Sequence, residues 1–365
     1  MLSAAVAGSA VMTVVWSLVA DRVGRRRTVA ILSCLMAVGG VLFALASRFD
    51  VLVLAAFTGT ISATSSEVGA FLTVEQAVLP QTAPPERRTW LFSIYAFAAN
   101  VAQALGALFA GVGTAFATAV WGLSGADVFR PLFLLYALIG VANLAIFLTL
   151  SDKVEVARVD AQRRLFGIHR SRGVVARLSA LFAMDAFAGG LVVQSLVAYW
   201  FDLRWGFTPE QLGVLFFGVN VLSGVSLLVA GRLAMRIGLL NTMVFTHLPS
   251  NLLLVLVPLM PTGALAALMF LMRMSISQMD VPTRQSYLMA VVDPDERTAA
   301  AGLTNVARSA ATALAPAVTG YAFSVAALGL PFFIAGGIKV AYDVLLLRSF
   351  RDVRPPEEVA PERAQ

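Results

Sequence analysis

The chain has 365 residues, of which 59% are hydrophobic and 13% charged, and its mean hydropathy is +0.82. Soluble domains are nearer half apolar and a quarter charged, so this composition excludes a soluble enzyme and a disordered chain and points to a polytopic membrane protein. The net charge of +6 comes mostly from arginines in short loops between apolar runs, which is the pattern of membrane orientation and not of a nucleic-acid face. Cys34 is the single cysteine, so no intrachain disulfide forms. His169 and His247 are too few and too far apart in sequence for a metal site.

In chain order, apolar helices are predicted over about 2–20, 28–47, 51–79, 88–112, 128–150, 174–201, 211–235, 240–260, 263–290, 296–323 and 327–349. Each approaches the roughly 20 apolar residues that a span requires. Arg130 and Pro131 soften the start of the fifth. Most connections are short. The exception begins at Ser151 and carries Lys153, Arg158, Arg163, Arg164, Arg170 and Arg172, which makes it the natural linker between two halves. The expected organisation is an N-terminal helical half over 1–150, a basic cytoplasmic linker over 151–173, a C-terminal helical half over 174–350 and a disordered tail over 351–365.

The Lys and Arg distribution predicts an orientation. With the Asp21–Arg27 loop in the cytoplasm and strict alternation, 20 of the 27 Lys and Arg residues are cytoplasmic. Only Arg48, Arg130 and Arg204 fall outside, and Arg273, Arg284, Arg308 and Lys339 fall within helices. That bias sets the orientation and puts Met1 outside.

The chain also repeats. Glu75–Gly111 matches Arg284–Gly320 at an offset of 209, pairing Gln76 with Gln285, Pro85 with Pro294 and Arg88-Thr89 with Arg297-Thr298. SLVADRVGRRRT (17–28) matches GRLAMRIGLLNT (231–242) at an offset of 214. Chance similarity among apolar helices explains Ala and Leu matches but poorly explains a shared P-x-x-R-T in loops. Parallel repeats joined by a basic loop are an architecture of secondary transporters.

The Leu-x-Ala-Asp-Arg-x-Gly-Arg-Arg core of the first of these segments resembles the loop signature of the major facilitator superfamily, through Asp21, Arg22, Gly24, Arg25 and Arg26. Ser17 stands where the family has a leading glycine. The second copy keeps Gly231, Leu233, Ala234, Arg236 and Gly238, with Met235 in the acidic position. THLPSN (246–251) and QMDVPTRQSY (278–287) further resemble a bacterial branch of efflux-type permeases. The resemblance implies an all-α fold of two parallel helical halves. In the family this loop joins the second and third of twelve helices. Here it follows the first apolar span, so the expectation is eleven of the usual twelve, without the first.

A charge inside a span costs roughly 2.5–3.5 kcal/mol or more and is a functional candidate by default. The resemblance implies a cytoplasmic gate in which Asp21 faces the start of the helix near Thr298 and Arg25 or Arg26 pairs with a carboxylate. Glu75 and Arg284 hold equivalent positions in the two repeats, about two turns before their loops, and are read as gate residues, with Glu75 and Arg25 or Arg26 as the expected pair. Glu67, two turns deeper than Glu75, and Asp185 and Asp280 are the candidate proton or substrate sites. For Asp280 an internal ion pair with Arg273 or Arg284 is an equal alternative. Arg308 either binds an anionic substrate or neutralises one of the acids. Lys339 and Asp343, four apart, are expected to pair within their own helix.

A Walker-type loop, HExxH and CxxC are all missing from the sequence, so ATP-driven transport and an intramembrane enzyme rank low. The fifth-helix element of family antiporters is degenerate here, with Gly106-Ala107 and Ala110-Gly111 and no proline. The expected function is secondary transport of a small organic solute by alternating access, coupled to protons and directed outward, in the cytoplasmic membrane of a bacterium. Uptake by the same fold and a non-transporting receptor are the alternatives. The expected partners are the solute, protons and the lipid bilayer, with no cofactor, no nucleic acid and a monomeric state.

Overall fold

The computed structural model describes residues 2–58, 71, 75, 88–150, 170–293 and 296–353, and every regular element among them is helical. Helices α1 (Leu2–Val23), α2 (Arg25–Leu45), α3 (Phe49–Phe57), α4 (Arg88–Trp121) and α5 (Arg130–Leu148) come first. Then follow α6 (Arg172–Leu191), α7 (Gln194–Trp205), α8 (Pro209–Ile237), α9 (Leu239–Leu256), α10 (Gly263–Ser277), α11 (Asp280–Val291), α12 (Arg297–Ser324) and α13 (Leu330–Phe350). Among the described residues, eight helical stretches are long and apolar enough to cross a membrane. Large apolar side chains such as Leu138, Val141, Val214, Phe245 and Leu345 are exposed on them, as lipid-facing positions require. The chain is thus an all-helical, polytopic membrane protein. It divides into two compact units, Met1–Gln162 with Thr208–Val214, and Arg163–Phe207 with Leu215–Gln365.

Two of the predicted spans are each two helices. The span expected over 174–201 divides between α6 and α7 at Val192–Val193, just after Gly189-Gly190. The Leu191 carbonyl released there is taken up by α12, where Thr319 Oγ1 donates to it at 2.8 Å, and Thr312 Oγ1 adds a bond to Ala186 O at 3.3 Å. In an apolar medium such bonds are what make a broken helix tolerable. The span expected over 263–290 divides between α10 and α11 at Gln278–Met279. Pro282 has no N–H to return to the Gln278 carbonyl, which instead accepts from Val281 N at 3.3 Å. The third predicted span, 51–79, is described as helix only to Phe57 and at Phe71 and Glu75. The fourth runs nine residues further than predicted, ending at Trp121 before Gly122, whose φ is +66°.

In the first unit, α2 packs on α5 through two glycines. A Cβ on Gly140 would lie 2.7 Å from Ala37 N, and one on Gly40 would lie 2.8 Å from Ala137 N. Small residues that let backbones approach in this way are how membrane helices associate when water supplies no driving force. In the second unit, α6 packs on α12, where a Cβ on Gly190 would lie 2.7 Å from Ala315 Cβ and 2.8 Å from Thr312 O.

The sequence repeat has a structural counterpart. Gly24 (φ +100°) precedes α2 and Gly238 (φ +86°) precedes α9. Only glycine enters that region without strain. After each, a threonine four residues on returns its hydroxyl to the glycine carbonyl, Thr28 to Gly24 at 2.9 Å and Thr242 to Gly238 at 2.8 Å. The two positions are 214 residues apart, the offset read from the sequence.

Candidate functional site

The second unit encloses a buried ionic cluster centred on Asp185, which lies 13 residues into α6. Asp185 Oδ1 accepts from Lys339 Nζ of α13 at 2.5 Å. Its Oδ2 accepts from Arg284 Nη1 of α11 at 3.2 Å and from Arg308 Nη1 of α12 at 3.5 Å. One carboxylate therefore serves three cations from three other helices. Asp280, in the first turn of α11, takes Arg284 Nη1 on its Oδ2 at 2.9 Å.

His247 of α9 joins this centre to a second carboxylate. Its Nε2 is 3.8 Å from Asp185 Oδ1 and 3.5 Å from Lys339 Nζ, and its Nδ1 is 2.8 Å from Asp343 Oδ1. Asp343 is fully buried and its other oxygen accepts from Asn251 Nδ2 at 2.9 Å. His247 and Asn251 are one turn apart on α9, and Lys339 and Asp343 one turn apart on α13. Both pairs therefore present single faces, and those faces meet. The Tyr342 ring stands edge-on to His247, with centroids 5.9 Å apart.

Apolar layers bound the cluster along the helices. At one end, Val175, Leu178, Phe182, Met243, Tyr287 and Leu346 belong to a core drawn from α6, α9, α11, α12 and α13. At the other, Trp200 packs on Phe332 at 4.8 Å and Phe201 on Phe270 at 6.4 Å. A buried ion costs several kcal/mol unless paired, so the contacts within the cluster are strongly coupled. Arg308 is the open member, with 27% of its side chain exposed against 6% for Asp185. Through this one anion, Lys339, Arg284 and Arg308 tie α13, α11 and α12 to α6.

The sequence singled out Asp185, Asp280, Arg284 and Arg308, and these four come together here. Arg284, read from the sequence as a gate residue, sits with the acids. The expected Lys339–Asp343 pair requires correction: Lys339 turns to Asp185 and Asp343 to His247, because partners on other helices lie closer. His247 was set aside and belongs to the centre. Its signal in the sequence was the matching four-residue spacing of His247/Asn251 and Lys339/Asp343. Among the described residues no group of three or more His, Cys, Asp or Glu could hold a metal ion.

The other expected gate residues that are described, Arg25, Arg26 and Glu75, lie in the first unit. Arg25 is buried beside Gly24 at the start of α2, Arg26 Nη2 donates to the Leu148 carbonyl at the end of α5, and Glu75 accepts from the Tyr95 hydroxyl. The side chains of Asp21, Arg22 and Thr298, and Glu67 as a whole, lie outside the described residues. One feature escaped the sequence reading. Glu296, 1% exposed, accepts Arg170 N at 2.8 Å and Ser171 N at 2.9 Å, and Ser171 Oγ accepts Asp293 N at 3.2 Å. This clasp ties the start of α6 to the α11–α12 turn within the second unit.

The fold and this charged centre define a membrane transporter scaffold. The sequence profile of the Major Facilitator Superfamily matches residues 1–276 and 183–365, and the chain belongs to that family. It is 24% identical over 384 residues to an uncharacterized membrane protein of Saccharomyces cerevisiae, YJR124C, covering 96% of this chain and 86% of that protein. Its fold is similar to that of the xylose transporter XylE from E. coli in an inward open conformation, with a TM-score of 0.73, 17% identity, and 97% and 85% of the two chains covered. A D-xylose-proton symporter gives a TM-score of 0.70 at 17% identity, covering 94% of this chain and 85% of that one.

Proposed function

We propose that this protein is a proton-coupled secondary transporter that moves a small organic solute across the cytoplasmic membrane by alternating access. The observation that carries the reading is the buried Asp185, shared by Lys339, Arg284 and Arg308 and flanked by His247. A proton and the three cations compete for this carboxylate, so its protonation goes with the withdrawal of α11, α12 and α13 from α6. Proton binding is thereby converted into a change in helix packing, which is the requirement for coupling. The similarity to a D-xylose-proton symporter supports a proton as the coupling ion. The direction proposed is export, and inverted and right-side-out vesicles test it against uptake.

The test uses purified protein in vesicles with an imposed pH gradient and a panel of radiolabelled or fluorescent solutes. The expected result is gradient-driven flux that Asp185→Asn abolishes while passive exchange of the solute survives. Full gradient-driven flux in Asp185→Asn sinks the coupling assignment. Saturable binding without flux for any solute replaces transport with a receptor role.

A further inference from the structure

Among the described residues the charges of the buried cluster do not balance. With His247 counted as neutral, the cations Arg273, Arg284, Arg308 and Lys339 face the carboxylates Asp185, Asp280 and Asp343, four against three. Arg273 of α10 is the cation left over. It is 9% exposed and has no carboxylate within 4.0 Å among the described residues. Its Nη1 meets only the sulfur of Met274 at 3.1 Å, its guanidinium lies 5.9 Å from the centroid of the Phe270 ring, and its Nε has no hydrogen-bond partner. Asp185 and Asp280 are near enough to act on it through space, but both already serve other cations. A buried, uncompensated guanidinium is costly and is retained where something completes it.

Arg308 shows where that completion enters. It shares Asp185 with two other cations, holds it by Nη1 alone at the longest of the three distances, and has the most exposed side chain of the cluster. A guanidinium has five N–H donors in a planar fork that matches an oxyanion, and most of this fork is unused. We propose that the transported solute is a small organic anion whose carboxylate or phosphate group docks on Arg308 and supplies the negative charge the cluster lacks. This rests on the transport reading above and names its substrate class.

The experiment uses full-length protein in detergent and in phosphatidylcholine vesicles, with acetate, benzoate and inorganic phosphate as probes and glucose, uridine and choline as neutral and cationic controls. The expected result is a rise in Tm with the anions, absent with the controls, lost in Arg308→Gln and partly kept in Arg308→Lys. Independently of any probe, Arg273→Met raises the Tm of the ligand-free protein by about 2 °C or more, since it removes an unpaired buried charge. A Tm lowered by Arg273→Met overturns the proposal, as does stabilisation by a neutral or cationic probe or by none of the anions. Stabilisation by phosphatidylglycerol in place of the soluble anions assigns the charge to a lipid headgroup and also overturns it. Counterflow in the same vesicles separates the two readings. Exchange of a neutral solute retains transport and removes the anion, whereas anion binding without exchange retains the site and removes transport.

Discussion

Replacing Asp185 with Asn keeps the shape of the side chain and removes the anion from the centre of the cluster. At 2.5 Å, the attraction between Asp185 and Lys339 is about 7 kcal/mol at an effective dielectric of about 20, before desolvation is charged against it. Desolvation offsets most of that in the intact pair. Removing one partner leaves the other buried and unpaired, which costs about 3–5 kcal/mol. Here Lys339 keeps only His247 within hydrogen-bond distance among the described residues, Arg284 keeps Asp280, and Arg308 retreats toward its exposed side. At roughly 2–4 °C per kcal/mol, the melting temperature falls on the order of 10 °C. The assay is thermal unfolding of the purified protein followed by intrinsic tryptophan fluorescence. Adding Lys339→Met to Asp185→Asn removes the stranded cation and restores at least half of the loss, with a coupling energy of about 2 kcal/mol or more in the double-mutant cycle. A drop under about 2 °C for Asp185→Asn, or strictly additive effects, refutes the view that this carboxylate compensates the buried lysine.

Three further outcomes follow from the packing. Gly190→Val drives a side chain into Ala315 and the Thr312 carbonyl and lowers Tm by an amount equivalent to about 1–3 kcal/mol, whereas Gly302→Ala, with nothing within 4 Å of its Cβ, leaves Tm unchanged or slightly higher. Gly238→Ala costs about 1 kcal/mol or more because of its φ of +86°, while Gly231→Ala, on an open helical face, costs nothing measurable by the same melt. Glu296→Ala releases two backbone N–H groups, that of Ser171 buried, and amide hydrogen exchange at Arg170 and Ser171 accelerates at least about tenfold while the middle of α6 is unaffected.

Much of the architecture was legible because a bilayer imposes it. Apolar runs near the length of a span, arginines concentrated in alternate loops and a repeated G-x-x-x-T turn are local features, and they identified helices, family and pseudo-symmetry without any knowledge of contacts. The helix breaks were partly legible. Pro282 marked one, though the break falls at Gln278–Met279, where the carbonyl loses its donor. Gly189-Gly190 stood before the other, and the threonines of α12 that make it tolerable are more than 120 residues away.

The site was legible only as a list of expensive residues. Sequence alone determined that Asp185, Asp280, Arg284 and Arg308 lie inside spans, where burial makes a charge hard to justify without function. It could not determine their partners, since the pairing of a buried charge depends on which helix faces meet, not on spacing along one helix. Local spacing favoured Lys339 with Asp343. The meeting of α13 with α6 and α9 gave Lys339 to Asp185 and Asp343 to His247, because a partner across a tight helix contact can approach to 2.5–2.8 Å. The same tertiary contacts left Arg273 without a carboxylate within 4.0 Å among the described residues, a surplus that the composition of the chain does not reveal.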